Sequence, residues 1–189
     1  GLERVEKILH VADIHIRNFK RHKEYRQVFR KLYKDAKQLP KNSLIYVAGD
    51  IVHTKTDISP ELIELTSEFL RKLADIRPTI VITGNHDANL NNSSRLDALT
   101  PIIDNLNHPN LHYLKDSGIY RVCDIDFIVM SVFNEPKDFP DARKATGIKI
   151  GLHHGPVHNS VTDIGYLLNN ESLKQSVFTG CDLVMLGDI

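Results

Sequence analysis

Short polar motifs follow apolar, β-rich runs at five places along this chain, and this alternation constrains the fold more than any other feature. The motifs are Asp13-Ile14-His15, Gly49-Asp50, Gly84-Asn85-His86-Asp87, Leu152-His153-His154-Gly155 and Gly187-Asp188-Ile189. In open α/β sheets, ligands bind beyond the carboxyl ends of the strands. We therefore expect the five motifs to gather along one edge of a sheet and to form a single site.

Strands and helices alternate in the sequence pattern, which predicts the α/β class. Strands are predicted at Lys7–Ala12, Leu44–Ala48, Pro78–Thr83, Gly118–Val122, Ile125–Val132, Ile148–Leu152 and Val184–Leu186. Helices are predicted at Glu24–Lys37, Ser59–Ile76 and Ser94–Asn105. The second helix has a strong start, because Ser59 can cap it, Pro60 fits its first turn and Glu61 lies near its positive end.

The composition is that of an ordinary globular domain. The chain has 189 residues, of which 41% are hydrophobic and 25% are charged, and this length corresponds to about one domain. Cys123 and Cys181 are far apart and form no metal-binding spacing, so we expect a reduced, cytoplasmic protein. No apolar run approaches the roughly 20 residues that span a bilayer.

The motifs carry side chains that suit two divalent metal ions. Asp13 and His15 are two residues apart on an extended stretch, so they point to the same side and can chelate one ion. Asp50 can bridge two ions with its two oxygens, Asn85 offers a carbonyl oxygen and His153 a nitrogen. Mixed oxygen and nitrogen ligation suits Mn²⁺, Fe²⁺ or Zn²⁺ better than Ca²⁺. Two ions roughly 3.5–4 Å apart would clamp a phosphate ester and lower the pKa of a water.

Three further side chains are predicted to act in catalysis. His86 diverges from its neighbour Asn85, so it is left to donate a proton to the leaving alkoxide or to stabilise charge on the phosphate. Asp87 is predicted to orient the ring of His86. His53 lies three residues after Asp50, and it either approaches the phosphate or is a surface histidine.

The order of the motifs is more specific than any one of them. An Asp-x-His or a Gly-Asp is common by chance in a turn, and one of the pair His153-His154 is expected to be incidental. His154 and His158 are predicted to support a ligand from behind or to face solvent. Five motifs in order, each at a strand end, favour a metal site over unrelated turns.

The motif order resembles that of the calcineurin-like metallophosphoesterases. Asp-x-His, Gly-Asp, Gly-Asn-His-Asp, an isolated His and a final Gly-Asp follow one another much as in that family. Within it, Gly49-Asp50-Ile51-Val52-His53 followed by Ile58-Ser59-Pro60-Glu61 resembles the DNA repair nucleases of the SbcD type and phage recombination nuclease subunits. The resemblance implies two packed β-sheets flanked by helices, in a four-layer αββα sandwich.

The resemblance also implies a role for each motif. One metal would be held by Asp13, His15 and Asp50, and the second by Asp50, Asn85, His153 and Asp188, with His86 as the catalytic histidine. The family more often has His at the position of Asp188, and its last His would lie beyond Ile189. We therefore expect residues 1–189 to be one catalytic domain truncated at its C-terminus. Mn²⁺ is the expected cofactor, with Mg²⁺, Fe²⁺ and Zn²⁺ as alternatives.

Positive charge is concentrated between Arg17 and Lys37, where nine Lys or Arg residues stand against two acidic residues. This run is either a solvated helix face or a track that leads the DNA backbone to the metals. The DNA-binding candidates are Arg17, Lys20 and Arg21. The predicted function is metal-dependent hydrolysis of DNA phosphodiester bonds in repair or recombination. The alternatives are a phosphatase or cyclic-nucleotide phosphodiesterase of the same superfamily, and a non-catalytic binding scaffold.

The expected partners follow from the same resemblance. They are DNA, an ATPase subunit of the SbcC type and a second copy of the protein, which would contact the helices predicted at Ser59–Ile76 and Ser94–Asn105. No membrane partner is expected.

Overall fold

Two four-stranded sheets organise the chain in the computed structural model, which describes residues 4–17, 21–53, 58–84, 87, 97–155 and 175–187. The first sheet contains, in spatial order and all parallel, β1 (Lys7–Val11), β2 (Ser43–Val47), β3 (Thr79–Val81) and β4 (Leu111–Tyr113). The second contains, also in spatial order, β5 (Gly118–Val122), β6 (Ile125–Met130), β7 (Ile148–His154) and β8 (Leu183–Gly187). Within the second sheet β5 and β6 are antiparallel, and the other neighbours are parallel.

Three α-helices lie within the described residues: α1 (His22–Lys37), α2 (Pro60–Ile76) and α3 (Leu99–Leu106). The Ser59 side chain accepts a hydrogen bond from the backbone N–H of Leu62 at 3.1 Å, so the predicted helix cap is confirmed. Short 3₁₀ turns occur at Pro136–Asp138, Ala142–Lys144 and Gln175–Phe178. None of the helices in the described ranges has both the length and the apolar composition that a membrane span requires.

The central strands β2 and β3 of the first sheet are buried on both faces, and β2 shows how the sequence achieves this. Successive side chains of a strand point to opposite faces. Leu44 and Tyr46 pack against residues of the second sheet, whereas Ile45 and Val47 pack against the helices. A strand covered on both faces reads as a continuous apolar run rather than as an alternating one, which is why the sequence predicts it so clearly.

The second sheet has a different cover on its outer face. There Ile128 and Met130 of β6 pack with Ala142 and Phe178, which belong to the 3₁₀ turns. The arrangement of two packed sheets flanked by helices confirms the predicted fold class. It also gives β7 two distinct faces, one toward the first sheet and one toward these turns.

Several features differ from the sequence prediction. The motif-bearing strands do not share one sheet edge, because β1, β2 and β3 belong to the first sheet and β7 and β8 to the second. The strand β4 was not predicted, since three residues are too few to show a period. The strand β7 ends at His154, two residues beyond the predicted end. Of the helix predicted at Ser94–Asn105, the described part begins at Leu99, and residues 94–96 lie outside the described ranges.

Candidate metal centre

The loops that follow β1 and β2 bring together Asp13, His15 and Asp50. One potential ligand atom from each of these three side chains lies within 4.8 Å of the others. The side chain of Asp50 is fully buried, that of His15 is 27% exposed, and the Nε2 atom of His15 lies 3.8 Å from Oδ2 of Asp50. Two carboxylates and one imidazole are a donor set that suits a divalent transition metal. The residues present therefore fit the metal that the motif order implies.

All three residues have a left-handed backbone, with φ of 54° at Asp13, 50° at His15 and 49° at Asp50. Residues other than glycine rarely adopt this conformation, although Asp and His tolerate it better than most. Such strain persists only where the surrounding structure enforces it, and it concentrates at functional sites. The enforced backbone therefore fixes the directions in which the three side chains leave the main chain.

Hydrogen bonds between the two loops enforce this backbone. The N–H of His15 donates to the carbonyl of Asp50 at 2.9 Å, and the N–H of Ile16 donates to the carbonyl of Ile51 at 2.7 Å. The N–H of His53 in turn donates to the carbonyl of Ile16 at 2.9 Å. A short parallel bridge therefore joins the loops beyond the ends of β1 and β2.

Gly49 lies where the loops that follow β2 and β3 approach each other closely, and a residue with a side chain would not fit there. It has a φ of +87°, and a Cβ atom at this position would lie 2.5 Å from the backbone nitrogen of Gly84 and 3.0 Å from Nδ1 of His154. A side chain here would therefore push apart the loops that follow β2 and β3.

His154 is the histidine of β7 that contacts Asp50. Its Nε2 lies 2.8 Å from Oδ2 of Asp50, and both side chains are fully buried. Its Nδ1 lies 2.7 Å from the carbonyl oxygen of Ala48. Both ring nitrogens therefore lie within hydrogen-bond distance of an oxygen acceptor, so that Nδ1–H can donate to Ala48 and Nε2–H to Asp50, and an unprotonated Nε2 would offer its lone pair to an ion beside Asp50. His154 thus supports the predicted ligand Asp50, as one of its two expected roles had it, and it does not face solvent.

His153, the predicted ligand, points to the opposite face of β7. Its Nδ1 lies 2.7 Å from the carbonyl oxygen of Met130, and its ring lies 6.5 Å from the ring of Phe139 and 6.4 Å from that of Phe178. Burial in this apolar setting lowers the pKa of His153. Of these two histidines it is His154 that contacts Asp50, and the ligand role of His153 stays a prediction. Strand alternation could have revealed this, because Leu152 faces the first sheet and His154 is two residues further on.

Asp87 ties the loop after β2 to the loop after β3. Its Oδ1 accepts a hydrogen bond from the N–H of Val52 at 2.9 Å, and its Oδ2 accepts one from the N–H of Gly84 at 3.1 Å. Burial, together with the nearby charge of Asp50, raises the pKa of Asp87 to about 7 against the opposing effect of the two backbone donors. Both carboxylate oxygens of Asp87 therefore accept a backbone hydrogen bond, and together these bonds connect the loops that follow β2 and β3.

Comparison with known proteins identifies the family. The sequence model of the calcineurin-like phosphoesterases matches residues 6–189. This chain belongs to that family. It is also 48% identical over 199 aligned residues to the uncharacterized protein R555 of Acanthamoeba polyphaga mimivirus. That alignment covers 98% of this chain and 15% of the mimivirus protein. Metal-dependent hydrolysis of a phosphoester is the activity that the family membership and the Asp13–His15–Asp50 cluster support.

Of the other predicted site residues, three are within the described ranges and the rest lie outside them. The Nδ1 of His53 lies 3.5 Å from Nδ1 of His15, with the two rings 5.5 Å apart and edge to face. Arg17 and Arg21 are exposed, and Arg21 forms a 2.6 Å ion pair with Glu24. The predicted residues outside the described ranges are Lys20, Asn85, His86, His158 and Asp188.

The basic face of α1 is less uniform than the sequence indicated. Arg26 belongs to the basic run between Arg17 and Lys37, and its Nη1 lies 2.7 Å from a carboxylate oxygen of Glu68 on α2. Lys72 contacts the other oxygen of Glu68, also at 2.7 Å. At least one positively charged side chain of α1 therefore forms an ion pair with α2.

Proposed function

We propose that this phosphoesterase is a DNA nuclease, the catalytic domain of a repair or recombination enzyme of the SbcD type. The observation that carries this proposal is the placement of His53 beside His15, on the side of the metal cluster where Asp13 is exposed and His15 is half-buried. A phosphodiester in a long polymer needs an open approach to the metals. Exposed Arg17 lies on the same loop and can contact the flanking phosphates.

The same proposal assigns ligands to two divalent ions, with Mn²⁺ as the favoured metal. Asp13, His15 and Asp50 would hold the first ion. Asp50 and His154 would hold the second, together with the sequence-predicted ligands Asn85 and Asp188. Bound at these residues, the ions would supply Lewis-acid chemistry to the phosphoester and would make a nearby water more acidic. The ligand role of His153 stays a prediction.

The protein's own groups have distinct tasks in this reaction. Asp50 is held rigidly by its burial and by the hydrogen bond that its carbonyl accepts from the N–H of His15. The hydrogen bond to Ala48 fixes the ring and the tautomer of His154. His86 is proposed to donate a proton to the leaving oxygen. His53, which lies beside His15, is proposed to hydrogen-bond a phosphate oxygen of the bound strand.

Incubation with three substrates tests the assignment. The purified chain is incubated with Mn²⁺ and end-labelled linear duplex DNA, bis(p-nitrophenyl) phosphate or p-nitrophenyl phosphate, and each reaction is repeated with EDTA. A nuclease shortens the DNA, cleaves the diester and leaves the monoester largely intact. The variant His86→Ala should lose the DNA activity while it retains Mn²⁺ binding.

Each alternative gives a different outcome in the same experiment. Rapid monoester hydrolysis with intact DNA would indicate a phosphatase. A cyclic nucleotide is included as a fourth substrate, and its hydrolysis with intact DNA would indicate a phosphodiesterase of the cyclic-nucleotide class. Binding of Mn²⁺ or DNA without hydrolysis of any substrate would indicate a scaffold, and any of these three results would overturn the nuclease proposal.

The proposed homodimer has an apolar surface that would suit it. A groove between α2 and α3 is lined mainly by Ile58, Ile63, Ala98, Pro101 and Ile102, and 42% of Ile63 is exposed. Light scattering of the purified chain, with Ile63→Glu as the disrupting variant and Val28→Glu on α1 as its control, would test this interface. The ATPase partner of the SbcC type and the cytoplasmic location stay predictions.

A further inference from the structure

Tyr25, on the first turns of α1, reaches back to the loop that contains the predicted ligands. Its hydroxyl donates a hydrogen bond to the carbonyl oxygen of His15 at 2.6 Å. The motifs give no role to Tyr25, because it lies ten residues from His15 and reads as part of the apolar stripe of a helix. The contact therefore connects an element outside the site to the backbone of a metal ligand.

The backbone around His15 shows why this contact matters. The N–H of His15 and both backbone polar groups of Ile16 are bonded to the loop that contains Asp50 and His53. The carbonyl of His15 instead has the Tyr25 hydroxyl as its partner. Since His15 has a left-handed φ of 50°, its peptide orientation depends on these bonds rather than on intrinsic preference.

The helix holds Tyr25 firmly enough to transmit this constraint. Its backbone N–H donates to the carbonyl of Arg21 at 2.9 Å, and its ring lies 5.9 Å from the ring of Phe29, which is buried in the core. His22, three residues earlier and thus on the same helix face, has its Nε2 2.5 Å from the carbonyl oxygen of Arg17. Two side chains of α1 therefore contact two carbonyls of the same loop.

We infer that Tyr25 is a positioning residue for the metal ligand His15, an inference that rests on the proposed two-metal function. By fixing the carbonyl of His15, the hydroxyl holds the imidazole toward Asp13 and Asp50 before any ion arrives. Outer groups that orient a ligand commonly change metal affinity by about 10- to 100-fold when they are removed. Because Tyr25 acts through the backbone rather than on the ring itself, we expect an effect near the lower end of this range.

The test is Mn²⁺ binding to Tyr25→Phe, measured by titration calorimetry and by electron paramagnetic resonance of free Mn²⁺. The affinity of the site should fall about tenfold, while the thermal midpoint of the metal-free protein changes little. The matched control is Tyr33→Phe, which removes the same hydroxyl two helical turns further along α1. In the His15→Ala background, Tyr25→Phe should have no further effect on affinity, because the ligand through which it acts is gone.

The outcomes separate this inference from the function on which it rests. Absence of Mn²⁺ binding by the wild-type chain would overturn the proposed metal site itself. Normal binding by wild type and an unchanged affinity in Tyr25→Phe would overturn only the role of Tyr25. An equal loss of affinity with and without His15 would also overturn it. Should Tyr25→Phe be unstable, Tyr25→His keeps a ring donor, and a partial recovery of affinity relative to Tyr25→Ala is the expected result.

Discussion

The two sheets contribute to the metal site in different ways. On the first-sheet side, Asp13, His15 and Asp50 lie in loops beyond the strands, and each has a left-handed backbone. On the second-sheet side, His153 and His154 are the last two residues of β7 and belong to its hydrogen-bonded ladder. The first group depends on strain that neighbouring loops enforce, whereas the second depends only on which face of a regular strand each residue occupies.

This difference predicts two kinds of sensitivity. On the first-sheet side, changes in backbone and glycine should matter as much as changes in the ligands. On the second-sheet side, substitutions of the adjacent residues His153 and His154 should have different effects, one on the stability of the protein and the other on its metal affinity. The predictions below test this comparison.

Replacing Asp50 by Ala should have the largest effect, because its carboxylate would serve both proposed ions and contacts His154. Removal of a group that only supports a metal ligand typically lowers metal affinity by up to roughly 100-fold. Removal of Asp50 itself should lower Mn²⁺ affinity by more than this. Calorimetric titration measures the change. The control is Asp126→Ala, which removes another buried carboxylate that instead accepts the N–H of Gly147 at 2.8 Å. An affinity in Asp50→Ala close to that of wild type would contradict the site.

The pair His154→Ala and His153→Ala should sharpen the comparison further. The first variant should lose roughly 100-fold in Mn²⁺ affinity because the ring nitrogen that contacts Asp50 is gone. The second should retain affinity but lose about 1–3 kcal/mol in free energy of unfolding, since the carbonyl of Met130 is left without the ring as its partner. Titration and urea unfolding measure the two quantities. Loss of Mn²⁺ affinity in His153→Ala but not in His154→Ala would instead support His153 as the ligand.

Glycine substitutions test the strained side directly. Gly49→Ala should destabilise the protein by at least about 1–3 kcal/mol, because it combines an unfavourable φ with a backbone collision against Gly84. Gly180 has a similar φ of +92°, but its Cβ would first meet the Cγ of Arg143 at 3.0 Å, a side chain that can move. Gly180→Ala should therefore cost less, and it should leave Mn²⁺ affinity unchanged. An equal decrease in the free energy of unfolding in Gly49→Ala and Gly180→Ala would show that the positive φ alone, and not the close approach of the loops, determines the destabilisation.

Local patterns predicted the elements of this fold well, and the failures came from contacts that no local pattern contains. Continuous apolar runs gave the buried strands, and Ser59-Pro60-Glu61 gave the start of α2. The division into two sheets depends on strand pairing over long distances, so the pattern alone suggested a single sheet edge. Likewise Arg26 reads as a surface residue until α2 places Glu68 beside it.

The candidate site shows the same limit at the level of single residues. The motifs identified Asp13, His15 and Asp50, which the fold brings within 4.8 Å. The choice between His153 and His154 depended on where β7 ends, and a strand end is not sharply encoded. The contact of Tyr25 with His15 depends on the angle at which α1 leaves its loop, which the sequence does not state.

The smallest expected effect concerns a polar network that braces the first-sheet side next to the loop after β3. Asp97 accepts hydrogen bonds from the hydroxyl of Tyr113 at 2.9 Å and from the ammonium group of Lys115 at 3.0 Å. The hydroxyl of Tyr113 also lies 2.5 Å from that of Thr83, which precedes Gly84. Burial opposes the ionisation of Asp97, but hydrogen bonds from Thr100 and Lys115 outweigh it and hold its pKa below the usual range.

The sign of the resulting pH dependence follows from linkage. Because the pKa of Asp97 is lower in the folded than in the unfolded protein, its stabilising contribution is complete above the unfolded pKa of about 3.9 and is lost as the pH falls through the folded value. The difference in free energy of unfolding between wild type and Asp97→Asn should therefore be constant from pH 5 to 7 and shrink toward pH 3. Urea unfolding at each pH measures it. A difference that does not change with pH would mean that Asp97 contributes through neutral hydrogen bonds rather than through its charge.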